Sequence, residues 1–253
     1  MERATVNKID LNLVWDDARA MGRANRDLLS AIAGMFLLLP SIVAGQFLKM
    51  PAPLARGADN EAMLARLMDY AAANWPVLFA HSIVTAFGIL AMLSLLLRSE
   101  RLTVRESLHA ALLLLPAYVM ALIVQRFGIM FGMTLFFIPG FYLLGRLALI
   151  APVVAAEGPS NPLAILRRSA QLTHGNGWRI FAMLAIVFLA VTGIGIAATS
   201  ITGIIATLLL PKEVAELAIA IVSGLVETAI GLAIMLITAA LYRVAVAPAR
   251  RRG

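Results

Sequence analysis

The chain of 253 residues contains no cysteine. That excludes disulfides, thiolate metal sites and cysteine nucleophiles, and leaves the redox compartment open. Histidine is scarce as well. His81, His109 and His174 fall in separate segments, with no His-x-x-x-His pair. A metal site built mainly on histidine is therefore not expected, and nothing calls for a cofactor. The phosphate-cradling Gly-x-x-x-x-Gly-Lys-Ser/Thr loop, the Gly-x-Ser-x-Gly elbow and the His-Glu-x-x-His pair are all missing. No polar insertion approaches the size of a catalytic domain, so the expected role is non-enzymatic. Charge is thin, at 14% of residues against about 25% in soluble domains.

Apolar residues take the place of what is lacking. They make up 61% of the chain, and the mean hydropathy is +0.90. Soluble domains hold roughly 45–50%. Crossing a bilayer takes about 20 mainly apolar residues. Six stretches qualify: Leu28–Leu48, Trp75–Leu97, Ser107–Gln125, Ile129–Ala156, Phe181–Ile201 and Val214–Tyr242. The expected fold is all-α, a polytopic bundle of six transmembrane helices. The first stretch is longer than a signal-peptide core and has no small-x-small cleavage site with a polar flank, so it reads as a retained helix.

The net charge of +7 is distributed unevenly. Arg3, Lys8, Arg19, Arg23, Arg26, Arg98, Arg101, Arg105, Arg167, Arg168, Arg179, Arg243, Arg250, Arg251 and Arg252 flank the spans on one side. Lys49, Arg56, Arg66, Arg126 and Lys212 flank them on the other. The positive-inside bias places both termini in the cytoplasm, in a bacterial inner membrane, and assigns the basic residues to loops and lipid headgroups rather than to nucleic acid.

Three regions follow: a cytoplasmic interfacial segment 1–27, the membrane domain 28–245 and a basic tail 246–253. Two stretches outside the spans have helical amphipathic spacing. Residues 11–27 place Val14, Ala18, Met21 and Leu28 on one stripe, and the outer segment 58–74 places Met63, Leu64, Leu67, Met68 and Ala71 on another. Such helices lie in the headgroup plane or pack on the bundle. The cytoplasmic connector is 157–180. The spans also read as three hairpins, each introduced by a basic stretch: Arg19–Leu29, Arg98–Leu108 and Ile165–Ile180.

One charge stands inside a span. Arg146 lies within the apolar run of the fourth stretch, and a guanidinium keeps its charge at any accessible pH. Glu227, inside the sixth stretch, lies at matching depth when both spans run straight. The expectation is an intramembrane pair of Arg146 and Glu227, fixing register or lining a pathway. Pro139 and Gly140 are expected to kink the fourth helix, and Arg126-Phe127-Gly128 to turn the chain between spans three and four. Residues 202–212 remain open between a longer helix, a tilted one and a re-entrant piece. His81 and His109 read as satisfied interface residues. In the connector, Glu157 is placed to pair with Arg167 or Arg168, with Ser169 and Trp178 close in sequence, and the cluster suits an anionic headgroup.

The residues from Phe137 to Phe181 carry a resemblance. Pro139-Gly140, Arg146, Pro152, Glu157 and the run Arg168-Ser169…Leu172-Thr173…Gly175…Trp178 are similar to the membrane domain associated with bacterial glycerophosphoryl diester phosphodiesterases and to YciC-like inner-membrane proteins. The catalytic barrel of the hydrolytic relatives has no counterpart here, and His174-Gly175 does not reproduce its His-Arg pair. The resemblance implies a six-span envelope protein that handles lipid or supports other membrane proteins; the expected partners are membrane lipids and either a membrane protein or a second copy of the chain. The other reading is a small transporter or transporter subunit built around Arg146 and Glu227.

Overall fold

The computed structural model describes residues 9–48, 59–98 and 102–250, with backbone only at 248–250. Arg3, Lys8, Lys49, Arg56, Arg101, Arg251 and Arg252 lie outside the described residues. The elements are α1 Leu11–Ala24, α2 Arg26–Ala33, a π-helical turn Gly34–Leu38, α3 Leu39–Phe47, α4 Asn60–Leu97, α5 Val104–Phe136, α6 Ile138–Arg146, α7 Ile150–Glu157, α8 Pro162–Leu172, α9 Gly177–Leu209 and α10 Lys212–Arg250. No strand occurs among the described residues. Six helical units are long and apolar enough to cross a membrane: Arg26–Phe47, α4, α5, Ile138–Glu157, α9 and Lys212–Ala247. The fold is an all-α polytopic bundle.

The first and last described segments come together at one end of this bundle. Arg243 Nη1 of α10 lies 3.2 Å from Asp17 of α1, and the Ile9 amide donates to Asn176 Oδ1 at 3.1 Å, beside the start of α9. Helix α1 begins under an Asp10 cap and buries Val14, Ala18 and Met21, leaving Leu13 and Trp15 exposed. It is therefore packed on the bundle by one stripe, with apolar side chains left over on its outer side.

Two local expectations change, and one left open is decided. The outer amphipathic segment is not a separate helix: Asn60, capped by Asp59, opens a single 38-residue helix ending at Leu97. At 1.5 Å per residue it is about 57 Å long, well beyond a hydrocarbon core of about 30 Å. Residues 202–209 continue α9, and Leu210-Pro211 turns the chain into α10. The other change concerns the hairpin between spans three and four. Helix α5 runs unbroken through Arg126-Phe127-Gly128, because a continuing helix satisfies those backbone groups where a loop would not.

The turn sits at Phe137, whose φ of 57° is the one left-handed non-glycine value among the described residues. Pro139 falls in the first turn of α6, where its missing N–H costs nothing. Gly132 and Gly140 let the two helices touch, since a Cβ on Gly132 would stand 2.9 Å from the Gly140 nitrogen. Pro139 and Gly140 thus build a hairpin corner rather than a mid-helix kink. The fourth span is instead broken at Leu147–Leu149.

Small residues set the other close approaches. Gly195 of α9 faces Val226 of α10, and Gly88 of α4 faces Phe36, whose ring meets Phe87 edge-on at 5.1 Å. The buried core runs from Leu90–Leu93 of α4 through Leu149, Ile150, Val153 and Val154 to Ala239–Leu241 of α10. It lies toward the end of the bundle that carries both termini.

Candidate functional site

At the break in span four, helical hydrogen bonds stop and side chains replace them. Ser169 Oγ of α8 donates to the Arg146 carbonyl at 3.1 Å and accepts from the Leu149 amide at 3.2 Å. Thr173 Oγ1 lies 2.8 Å from the same Arg146 carbonyl, and Gln125 Nε2 donates to the Leu147 carbonyl at 3.2 Å. Ser169 and Thr173 are completely buried. Buried peptide groups need partners, so α8 serves as the cap that the broken helix lacks.

The Arg146 side chain ends α6, where a cation complements the carbonyl end of the helix dipole. Its guanidinium lies over the Tyr142 ring, 5.8 Å from the centroid. Tyr142 also packs on Trp178 at 5.9 Å, and Trp178 on Phe181 at the same distance. Arg146 Cδ would touch a Cβ placed on Gly177, the first residue of α9.

This position separates the expected pair. Arg146 packs at Gly177, whereas Val226, next to Glu227, packs at Gly195. Eighteen residues along α9 amount to about 27 Å. Glu227 accepts a hydrogen bond from the Ser41 hydroxyl of α3, and its Oε1 lies 3.6 Å from His81 Nε2 of α4. The structure therefore does not join Arg146 to Glu227. The depth match fails because the chain turns at Phe137 and not near Gly128, and because span four is two helices. Replacing Arg146 and Glu227 by alanine, singly and together, is expected to give additive losses of stability within about 0.5 kcal/mol. A double-mutant cycle read by SDS-induced unfolding checks this, and a coupling above about 1 kcal/mol would show that the two side chains meet.

The connector holds a second set of polar groups. Arg168 Nε donates to Glu157 at 2.9 and 3.0 Å, and the buried Tyr242 hydroxyl donates to the same carboxylate at 2.9 Å. Arg98 Nε of the α4 end donates to the Ala155 carbonyl at 3.1 Å. Glu157, Pro159, Asn161, Leu163, Ala164, Arg167, Arg168 and Gln171 line an open cleft of about 430 Å³. Asn161 caps α8 through the Leu163 amide, and Pro162 opens the helix. Arg167 has no hydrogen bond or ion pair among the described residues. Arg168 has none beyond its Nε contacts, so its Nη groups are uncommitted.

Of the five connector residues expected to act together, Glu157, Arg167 and Arg168 share the cleft. Ser169 lies beneath it as a backbone cap, and Trp178 belongs to the aromatic cluster around Arg146. Tyr242 joins the site without any sequence signal, because only the packing of α10 on α7 brings it there, whereas Gln171 lies one turn after Arg167 on α8. His81 also departs from expectation, since its Nε2 is buried without a hydrogen-bond partner.

Fold and contacts together define a polytopic helical membrane protein with a basic, open connector at the end that carries its termini. No protein-family model, curated protein or solved structure matches the chain.

Proposed function

We propose that this protein is a non-enzymatic inner-membrane protein that holds an anionic phospholipid headgroup in the connector cleft, as part of lipid handling or scaffolding in the bacterial envelope. The observation that carries the reading is the cleft itself: Arg167 unpartnered, Arg168 anchored through Nε by Glu157, and Glu157 fixed in turn by Tyr242. Two guanidinium groups against one carboxylate leave one positive charge, the complement of a phosphodiester. Planar Nη groups suit phosphate oxygens. Leu163 on the rim and Leu13 and Trp15 of α1 are exposed apolar side chains at the same end of the bundle, where acyl chains would lie. The Lys/Arg bias of the flanks supports a cytoplasmic position for this end, facing an anionic leaflet. The resemblance of Phe137–Phe181 to the phosphodiesterase membrane domain points the same way.

Arg167→Gln/Arg168→Gln protein, purified with native lipids and weighed by mass spectrometry, is expected to lose retained phosphatidylglycerol at least tenfold. Charge-assisted hydrogen bonds contribute about 1.5–3 kcal/mol, and about 1.4 kcal/mol is a factor of ten. Zwitterionic lipid should be retained as in the parent, and the helical circular-dichroism signal should be unchanged. Equal retention of anionic lipid by parent and variant would end this reading. The transporter reading no longer includes Arg146 and rests on the contacts of Glu227 alone.

A further inference from the structure

Four of the six spans keep ionisable groups out of their apolar lengths with two exceptions. Residues 28–47, 71–97, 181–209 and 217–241 contain only His81 and Glu227. The fold brings those two together. A π-helical turn at Gly34–Leu38 widens span one just before Pro40, which has no N–H to donate, and Ser41 follows directly. Gly224 lets α3 come close, its would-be Cβ standing 3.5 Å from Ser41 Oγ. The Ser41 hydroxyl then binds one oxygen of Glu227, and the other lies 3.6 Å from His81 Nε2.

The carboxylate is open on one side. Its side chain is 55% exposed, against 17% for His81. A bare carboxylate in the apolar zone is costly unless a positive charge accompanies it. No lysine or arginine approaches Glu227 among the described residues. Buried polar atoms without partners mark places where a bound group supplies the missing bond. His81 Nε2 and Thr85 Oγ1 are both of this kind, one turn apart on the same face of α4.

We propose that Ser41, His81 and Glu227 form an intramembrane site for a primary ammonium group, carried by a small aliphatic amine or by an aminophospholipid headgroup. Glu227 is the open acceptor of the pair, and the buried His81 Nε2, 3.6 Å away, meets the same nitrogen once its imidazole turns toward the open side. Glu227 supplies the countercharge. Neutral His81, with its proton on Nδ1, offers the Nε2 lone pair to a second N–H, and Thr85 Oγ1 is the nearest unpartnered oxygen along that face. Ser41 holds the carboxylate in place through the oxygen the ligand does not use. A transition metal is a poorer fit, since no group of three His, Cys, Asp or Glu side chains assembles among the described residues. The site is independent of the connector cleft and goes beyond the headgroup reading.

The test uses the full chain in nanodiscs of phosphatidylcholine, which has no primary amine. Binding of n-octylammonium is measured by calorimetry near pH 7.5, with n-octyltrimethylammonium as a probe of equal charge and no N–H. The primary amine is expected to bind at least tenfold tighter than the quaternary one. Glu227→Gln should weaken it at least thirtyfold, and His81→Phe about tenfold. A second arm replaces part of the lipid by phosphatidylethanolamine. Retention of that lipid by the parent and its loss in Glu227→Gln assigns the ammonium to a lipid, and octylammonium binding alone assigns it to a soluble amine.

Equal binding of the two probes, which needs no variant to fold, would overturn the proposal. So would unaltered binding by Glu227→Gln, or binding of neither amine. Tighter binding by His81→Phe would also overturn it, because it would show that a protonated His81 already neutralises the carboxylate.

Discussion

Gly145→Ala is expected to be among the most damaging single-methyl changes in the chain. The added Cβ would stand 2.0 Å from the Gly177 carbonyl oxygen and 2.8 Å from its carbon, so α6 and α9 would have to separate. Both contacts are backbone and cannot rotate away. Overpacking typically costs about 1–3 kcal/mol, and a backbone clash belongs at or above the top of that range. Separation would also pull Arg146 from Gly177 and Tyr142 from Trp178, opening the end of the bundle next to the connector. Gly128→Ala and Gly193→Ala meet nothing within 4 Å and should be neutral or stabilising, by up to about 1 kcal/mol of helix propensity. The midpoint of SDS-induced unfolding, followed by far-ultraviolet circular dichroism, ranks the three. If Gly145→Ala unfolds no earlier than Gly193→Ala, the α6–α9 contact is not as close as described.

The second large effect is expected at the break in span four. Ser169→Ala removes the donor to the Arg146 carbonyl and the acceptor of the Leu149 amide together, in a fully buried setting. An unsatisfied buried group costs about 1–3 kcal/mol. Thr173→Val should cost less by itself, because Ser169 still serves the Arg146 carbonyl. The Thr173 hydroxyl lies 2.8 Å from both the Arg146 and Ser169 carbonyls and has one proton to give. With both hydroxyls gone, that carbonyl keeps no side-chain donor, and the double variant should lose more than the sum of the singles by about 1 kcal/mol. The same unfolding measurement checks this. A strictly additive result would mean that the two hydroxyls act separately. Retention of anionic lipid at the proposed connector site should fall too, because α8 carries Arg167 and Arg168 and is docked through Ser169 and Thr173.

The polar connector was partly legible. Glu157, Arg167 and Arg168 lie 10 and 11 residues apart across a Gly-Pro-Ser-Asn-Pro loop, whose N-cap and proline announce the next helix. Local signals of this kind survive folding, so the Glu157–Arg168 contact follows from nearby sequence. Tyr242 could not be found this way, because it lies 85 residues from its partner. Ser169 gives a misleading signal. Its place beside two arginines suggests a ligand, whereas the broken helix takes it, together with Thr173, for its own backbone. Arg146 had the same ambiguity. Its place in an apolar run is real, but the side chain is only partly buried, and the hairpin corner and the helix break carry it to the end of α6.

The sequence by itself determined the class of this protein. Six apolar stretches, thin charge and no cysteine are additive local properties, and a bilayer reads them one segment at a time. Only the tertiary structure decided which polar groups meet. A depth counted along straight spans assumes where each span begins, and a turn moved from Gly128 to Phe137 shifts every later residue. Contacts between helices depend on small residues such as Gly145, Gly177 and Gly224, which fix approach without naming a partner. Arg146 therefore found a ring and a helix end, Glu227 found Ser41 and His81, and neither found the other.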